Sequence, residues 1–357
     1  MTRVLVVDDS ALMRRHLVQL LQQQPGYDVR TARNGVEALA VIDEFDPNVV
    51  TLDVNMPEMD GITCLARIMV GSPRAVIMVS SITEQGAEAT LQALSLGAID
   101  FVQKPDGTIS LSLDRIAAQL VAKVRIAANA RIRTRTGTIV PPRPTAPVRR
   151  TPSPPAVTGD PGLVLLGVST GGPAVLETIL PALPAGLPWP VLVAQHMPGS
   201  FTGVFARRLD ALSAVTVQEL RTATPLQPGN VYIARGDADM VVARRAGVLT
   251  GLSVPSSEEH NWHPSVTRLV ESAAGLLSPA QLIGVQLTGM GDDGAEAMAR
   301  CHHRGMRTIA QDAGTSAVFG MPNELIRRAG ASLVLASDAI AGQIARWLAP
   351  GRRAVAS

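Results

Sequence analysis

From Arg115 to Gly159 the chain carries no aspartate or glutamate, nine arginines and lysines, and a cluster of prolines running from Pro141 to Pro155. Proline fixes φ and offers no backbone N–H, so a segment of this composition extends instead of packing. It divides everything else. Residues 129–160 are expected to be a tether joining two folded modules, 1–128 and 161–350. Length agrees, because 357 residues are too many for one ordinary domain and suit two. Removing the nine basic residues from the net charge of +2 leaves the remainder at −7. A basic tether could serve nucleic acid, but only 3% of the chain is aromatic and no recognition helix is legible. A solvated, charged linker is the reading adopted, with nucleic acid not expected as a partner.

Composition excludes several classes. With 46% hydrophobic and 17% charged residues, both modules can bury a core. No apolar run reaches the roughly 18 residues a membrane helix needs, so membrane insertion is not expected. Met1-Thr2-Arg3 leads into Val4-Leu5-Val6-Val7-Asp8-Asp9, too short and too soon acidic for an export signal. Cys64 and Cys301 stand far apart without CxxC spacing, which argues against a disulfide framework and a zinc knuckle. A cytoplasmic location is expected.

In the first module short β-branched runs alternate with helical patterns. Val4–Val7, Asp28–Thr31, Val49–Leu52, Ala75–Val79 and Phe101–Val102 read as strands. Between the first two, Met13, Leu17, Leu20 and Leu21 recur at helical spacing. Alternating βα units give a five-stranded parallel sheet, flavodoxin-like, with ligands beyond the carboxyl ends of its strands.

At those ends stand Asp8, Asp9 and Asp53. Three converging carboxylates suit a hard cation such as Mg²⁺, which binds oxygen and keeps several waters. Ser80 ends the fourth run and Lys104-Pro105 follows the fifth; a hydroxyl and an ammonium would position a transferred phosphoryl group. The acidic pair, the Asp53-x-x-Met-Pro-x-Met-Asp60-Gly61 stretch, Ser80 and Lys104-Pro105 together resemble the receiver domain of two-component response regulators. That resemblance implies Asp53 as the phospho-acceptor. It implies Mg²⁺ on Asp8, Asp9, Asp53 and the Asn55 backbone carbonyl, and phosphoryl contacts from Ser80 and Lys104.

From Gly162 the α/β pattern restarts, with strands expected at Leu163–Leu166, Val191–Ala194, Val231–Ile233, Leu282–Leu287, Thr308–Ala310 and Ser332–Leu335. A mostly parallel, doubly wound sheet follows. Its first strand delivers Gly167-Val168-Ser169-Thr170-Gly171-Gly172, which admits three readings. It could cradle a phosphate, though it lacks the G-x-G-x-x-G register; it could be a turn with Ser169 as a helix cap; or Ser169 could be an exposed nucleophile. Partners decide. His196 ends the Val191 run just before Pro198, and Leu287-Thr288-Gly289-Met290-Gly291-Asp292-Asp293-Gly294 is another strand-to-glycine turn. Hydroxyl, imidazole and carboxylate then come from three strand ends, with either Asp292 or Asp293 as the acid. The order Ser, His, Asp differs from that of α/β-hydrolases.

Taken with Pro264-Ser265-Val266 and the Gln311…Thr315-Ser316…Val318-Phe319-Gly320-Met321-Pro322 stretch, the whole resembles the chemotaxis response-regulator protein-glutamate methylesterases, the CheB family. The resemblance implies Ser169, His196 and Asp293 as catalytic triad, Met290 and Thr170 beside the oxyanion, and no cofactor for the esterase. The oxyanion donors are expected among the backbone N–H groups near Thr170, His196 or Met290. It further implies methyl-ester hydrolysis on receptor glutamates, deamidation of glutamines, chemoreceptor cytoplasmic domains as substrate and a chemotaxis histidine kinase as phosphodonor. Departures from the family pattern stand at Asp239, His263, Thr267 and Ala313, none expected to touch the triad. Cys301-His302-His303 reads as surface helix and Glu258-Glu259-His260 as solvated loop.

Two modules on one tether predict that the first covers the mouth of the Ser169 site until charge is added at Asp53. The rival readings are a paralogous esterase serving a different signalling array, a non-catalytic binding or scaffold output, and a phosphate-binding ATPase-like output.

Overall fold

The computed structural model describes residues 1–81, 83–104, 109–130 and 162–349, with side chains omitted for 109–117. Pro105 and nearly all of the expected tether lie outside the described residues. The chain divides into two compact units.

In the first unit the elements run β1 (Thr2–Val7), α1 (Ala11–Gln22), β2 (Tyr27–Ala32), α2 (Gly35–Phe45), β3 (Val49–Asp53), α3 (Gly61–Gly71), β4 (Ala75–Ser80), α4 (Glu84–Leu96), β5 (Asp100–Gln103) and α5 (Ile109–Ala127). The sheet order is β2-β1-β3-β4-β5, parallel throughout. β3 and β4 are buried along their whole length, which is why they read as unbroken apolar runs rather than alternating ones. Side-chain caps start the helices that follow strand ends: Ser10 accepts from Met13 N, Asn34 from Glu37 N and Asp60 from Thr63 N. Strand order reverses between β1 and β3, so the carboxyl ends carrying Asp8 and Asp53 are neighbours.

The second unit contains β6 (Leu163–Val168), α6 (Gly172–Ile179), β7 (Val191–Gln195), α7 (Gly199–Leu212), β8 (Thr216–Leu220), β9 (Thr224–Pro225), β10 (Asn230–Ala234), β11 (Ala238–Arg245), β12 (Val248–Pro255), α8 (Val266–Ala274), β13 (Leu282–Gln286), α9 (Ala295–His302), β14 (Arg307–Gln311), α10 (Met321–Arg327), β15 (Leu333–Leu335) and α11 (Ser337–Leu348). Seven strands form one parallel sheet in the order β15-β14-β13-β6-β7-β10-β8. Here the order reverses between β13 and β6. Leu165, Leu192, Tyr232, Leu269, Leu282 and Met298 belong to one buried cluster, which fixes the sheet against its helices.

Three features were not legible in the sequence. β8 extends the main sheet, and β11 and β12 form an antiparallel hairpin that pairs with β9. In β11, Met240 and Val242 are buried whereas Arg244 and Arg245 are exposed, so its basic end reads as loop. Its two-residue link, Ala246 and Gly247, has φ of 47° and 82°, the backbone of a primed hairpin turn. Alanine at a left-handed position hides that turn from a search for Asn-Gly or Asp-Gly.

Candidate functional site

β6 and β7 pair Val168 with Gln195, and His196 N donates to Val168 O at 3.0 Å. Ser169 and His196 are thus the first residues beyond one rung of adjacent parallel strands. The His196 amide is committed to the ladder, so it is not an oxyanion donor; register consumes it. Thr288, just beyond β13, accepts from Ser169 N at 2.9 Å through its backbone carbonyl. Three strand ends at the switch point therefore converge, as the sequence pattern requires.

The serine turn is held from several sides. Gln195 Nε2 donates to the carbonyl oxygens of Ser169 and His196, at 3.0 and 3.1 Å. Thr288 Oγ1 donates to Thr170 O at 2.9 Å and accepts from Val318 N. Gly171 turns the chain into α6 with φ 77°, and a Cβ there would lie 2.6 Å from that of Ala317. Ser169 itself is partly exposed and caps no helix; Gly171 occupies the N-cap position of α6.

His196 Nε2 lies 3.0 Å from Asp293 Oδ2, with both side chains more than nine-tenths buried. Asp292 is exposed and 3.6 Å from Arg328, so Asp293 is the acid that meets the imidazole. The contact leaves His196 Nδ1 as the ring nitrogen not facing the acid, buried and without a hydrogen-bond partner. Ser169 Oγ makes no hydrogen bond to it among the described residues. Catalytic contacts of this kind are often long before substrate binds, so the missing bond leaves the pair eligible as nucleophile and base.

Asp293 is gripped by the start of α8. Its Oδ2 accepts from Val266 N at 2.7 Å, and its Oδ1 from Thr267 N at 2.9 Å and Thr267 Oγ1 at 2.7 Å. Burial works to raise its pKa, but the hydrogen bond and charge of His196, then Thr267 and the Val266 amide, outweigh it and hold the group at about 2. Thr267 was expected to stand clear of the triad. It does not, because α8 points its N-terminus at the acid.

Sequence reasoning also missed Trp262. Its ring stacks on His196, centroids 5.5 Å apart and planes 7° apart. A lone tryptophan in a loop carries no motif that could have marked it. Met290 N–H makes no hydrogen bond among the described residues. Its turn is fixed on both sides of Gly289, whose carbonyl accepts from Gly320 N at 3.0 Å and Met321 N at 2.8 Å. Cys301 is buried, His302 Nδ1 is taken up by Met306 O at 3.0 Å, and Glu258 and Glu259 are exposed. None of these joins the site.

In the first unit, carboxylate oxygens of Asp8, Asp9 and Asp53 lie within 4.8 Å of one another. Lys104 Nζ stands 2.9 Å from Asp8 Oδ2 and 2.7 Å from Asp53 Oδ2. Burial pushes the Asp53 carboxyl up to about 6, helped by the Asp8 charge and opposed by Lys104 and by a hydrogen bond from the Asn55 backbone. Lys104 is pushed above its ordinary value: burial works to lower it, and its two carboxylate partners more than compensate. Two buried acids and an exposed one, with Lys104 bridging the buried two, fit a divalent ion well. Ser80 stands one residue beyond the Asp53–Val79 rung of adjacent strands but makes no hydrogen bond to Asp53 among the described residues; its hydroxyl is buried and donates to Gly86 O at 3.1 Å.

A serine, an imidazole and a carboxylate gathered at one switch point of a parallel sheet, and an acidic receiver-type pocket at another, define the class, and comparison with known proteins agrees. Residues 164–344 match the CheB methylesterase family and residues 4–112 the response regulator receiver domain. A protein-glutamate methylesterase/protein-glutamine glutaminase of Rhodospirillum rubrum is 56% identical, over 99% of this chain and 98% of its own. One from Rhodopseudomonas palustris is 50% identical, over 97% and 98%. The catalytic domain of Thermotoga maritima CheB methylesterase superposes with a TM-score of 0.51 at 36% identity, covering 53% of this chain and 99% of that domain. The chain belongs to the CheB methylesterase family and carries a response regulator receiver domain ahead of the esterase domain.

Proposed function

We propose that the protein hydrolyses γ-methyl esters of glutamates on chemoreceptor cytoplasmic domains, releasing methanol, and deamidates glutamines there. One observation carries the reading: a buried imidazole, hydrogen-bonded to a carboxylate 3.0 Å away, stands one strand from a partly exposed serine.

With Asp293 ionised, the neutral ring keeps its proton on Nε2 and presents the Nδ1 lone pair. Ser169 Oγ attacks the ester carbonyl and passes its proton to Nδ1. The negative oxygen of the tetrahedral adduct is received by Met290 N–H, with Thr170 beside it, a donor contributing about 3–4 kcal/mol when well aimed. His196 then returns the proton to the departing methoxide. Water repeats the sequence on the acyl-serine and frees the glutamate. The ring is used the other way round from the common template, in which Nδ1 faces the acid. Trp262 shields the imidazole face from solvent. A glutamine amide follows the same path with ammonia as leaving group.

The receiver supplies control. Asp53 accepts a phosphoryl group from a chemotaxis histidine kinase, Lys104 pairs with the new charge, and Ser80 reaches it after rotating away from Gly86. Asp8, Asp9, Asp53 and the Asn55 carbonyl would hold Mg²⁺, which neutralises charge during the transfer; the esterase requires none. The work is cytoplasmic, where the receptor domains and the kinase it is proposed to meet would be reached.

Mass spectrometry of methylated receptor peptides incubated with the protein tests this directly. Loss of 14 mass units per site is expected from the intact protein and not from Ser169→Ala. Ester loss that persists above background in the variant would retire the assignment of Ser169.

A further inference from the structure

Asp239, near the start of β11, makes no hydrogen bond to Ser169, His196 or Asp293 among the described residues, yet its side chain is fully buried and takes four donors. Oδ1 accepts from His263 Nδ1 at 3.0 Å and Ser265 N at 2.7 Å. Oδ2 accepts from Arg268 Nη1 at 2.6 Å and Ser257 N at 3.2 Å. All four come from one stretch of chain, the loop after β12 and the first turn of α8.

That stretch does two things at the candidate site. Trp262, one residue before His263, lies face to face with the His196 ring. Val266 and Thr267, just after Ser265, donate the amides that grip Asp293. A loop of this length has many conformations open to it, and ordering it requires contacts that hold it at more than one point. The Asp239 carboxylate supplies such contacts on both sides of Trp262. The Arg268 guanidinium faces it at 2.6 Å and the His263 ring adds a further hydrogen bond, so the buried charge is paired.

We infer that Asp239 is a positioning residue for ester hydrolysis, fixing through one carboxylate both the indole over His196 and the amides under Asp293. This rests on the reading of Ser169, His196 and Asp293 as the hydrolytic set. Asp239 touches none of the three, so its effect passes through Trp262 and the start of α8. Displacing the base and its acid by a fraction of an ångström weakens the chemical step while leaving substrate affinity nearly intact.

The test uses full-length Asp239→Asn with two readouts. On methylated receptor peptide, kcat should fall at least about 10-fold with KM unchanged within about twofold. The second readout needs no activity. A protonated imidazole in face contact with an indole quenches its emission, so the pH-dependent fluorescence of the protein minus that of Trp262→Phe reports the His196–Trp262 stack. In Asp239→Asn that quench should lose about half its amplitude or more, as the ring pair loosens. A retained quench, or an unchanged kcat, overturns the inference. Should Asp239→Asn not fold, Arg268→Gln removes one of the four donors and is read the same way, with about a threefold fall in kcat expected. If the intact protein hydrolyses no ester, the proposed function has failed, and the quench alone still decides whether Asp239 orders the stack.

Discussion

The carboxylate of Asp293 faces two ways: Oδ2 meets His196 Nε2 at 3.0 Å, and the same group receives both amides at the head of α8. An acid so held cannot swing away to follow a drifting ring, and its charge is set where the proposed hydrolysis would form an imidazolium. Asp293→Asn should therefore keep the fold and lower kcat by about 10³-fold or more, since an amide at this position either repels the Nε2 proton or reverses the tautomer. Steady-state kinetics on receptor peptide, with circular dichroism as the check on folding, measures it. A loss under tenfold would remove Asp293 from the mechanism.

Thr267 offers a gentler probe of the same group. Its hydroxyl donates to Asp293 Oδ1 at 2.7 Å and accepts from Gly294 N at 2.9 Å. Thr267→Val keeps the shape and the backbone amide but deletes both bonds. A hydrogen bond to a charged group contributes about 1.5–3 kcal/mol, so kcat should drop about 10-fold and the variant should melt lower. Unchanged kcat would mean that the amides and the Ser265 hydroxyl, 3.3 Å from Oδ1, suffice without Thr267 Oγ1.

Stability should depend on acid pH through Asp293. Its pKa falls from 3.8 to about 2 on folding, so the unfolded chain takes up this proton first as pH drops. The contribution is complete above about pH 4 and is lost as pH falls toward 2, on the order of 2 kcal/mol in all. Denaturant unfolding between pH 5 and 2 should show a steeper decline for the native protein than for Asp293→Asn. Parallel curves would show that the grip on this carboxylate adds no net stability.

Much of this was legible before any coordinates. The strand runs beginning at Val4, Val49, Leu163 and Val191 are buried on both faces, and such strands announce themselves by unbroken apolar residues. Asp8 and Asp53 follow those runs directly, and Ser169 and His196 come within three residues of theirs, so their place at the strand ends came with the strands. What stayed hidden depends on chain that is distant in sequence. Trp262 matters because a loop folds over β7's end, and Thr267 because α8 aims at a turn 26 residues further on. The His196 amide looked available until β6 claimed it. Choosing Asp293 over Asp292 required the family pattern, because adjacent acids on a glycine turn differ only in which one the fold buries.

Close approach also predicts. Gly289 packs so tightly on the turn carrying Ser169 that a Cβ would lie 2.6 Å from Ser169 Cβ and press on Met321 Sδ. Gly289→Ala must push Ser169 off its position or open the turn that carries Met290. Overpacking of this kind costs about 1–3 kcal/mol, so the fold should survive while the nucleophile moves. Labelling of Ser169 by a fluorophosphonate should slow about 100-fold. Labelling at the native rate would show that the serine does not need this wall.

The receiver pocket makes the last prediction. Asp53 sits among like charges, with burial raising its pKa to about 6 and Lys104 as the nearest cation, 2.7 Å away. A phosphoryl group brings further negative charge to a place where one lysine already serves two carboxylates. Lys104 cannot neutralise all three, so a divalent cation on Asp8, Asp9 and Asp53 must do the rest. Incubation with acetyl phosphate should therefore label the protein in Mg²⁺ and fail in excess EDTA, and Asp53→Asn should abolish the label in either. Ester hydrolysis by the unphosphorylated protein should be the same with and without chelator, because Ser169, His196 and Asp293 enlist no metal. Label persisting in EDTA would assign charge neutralisation to Lys104 alone, and an esterase that died with chelation would place a metal in the second unit and overturn the metal-free reading of the proposed function.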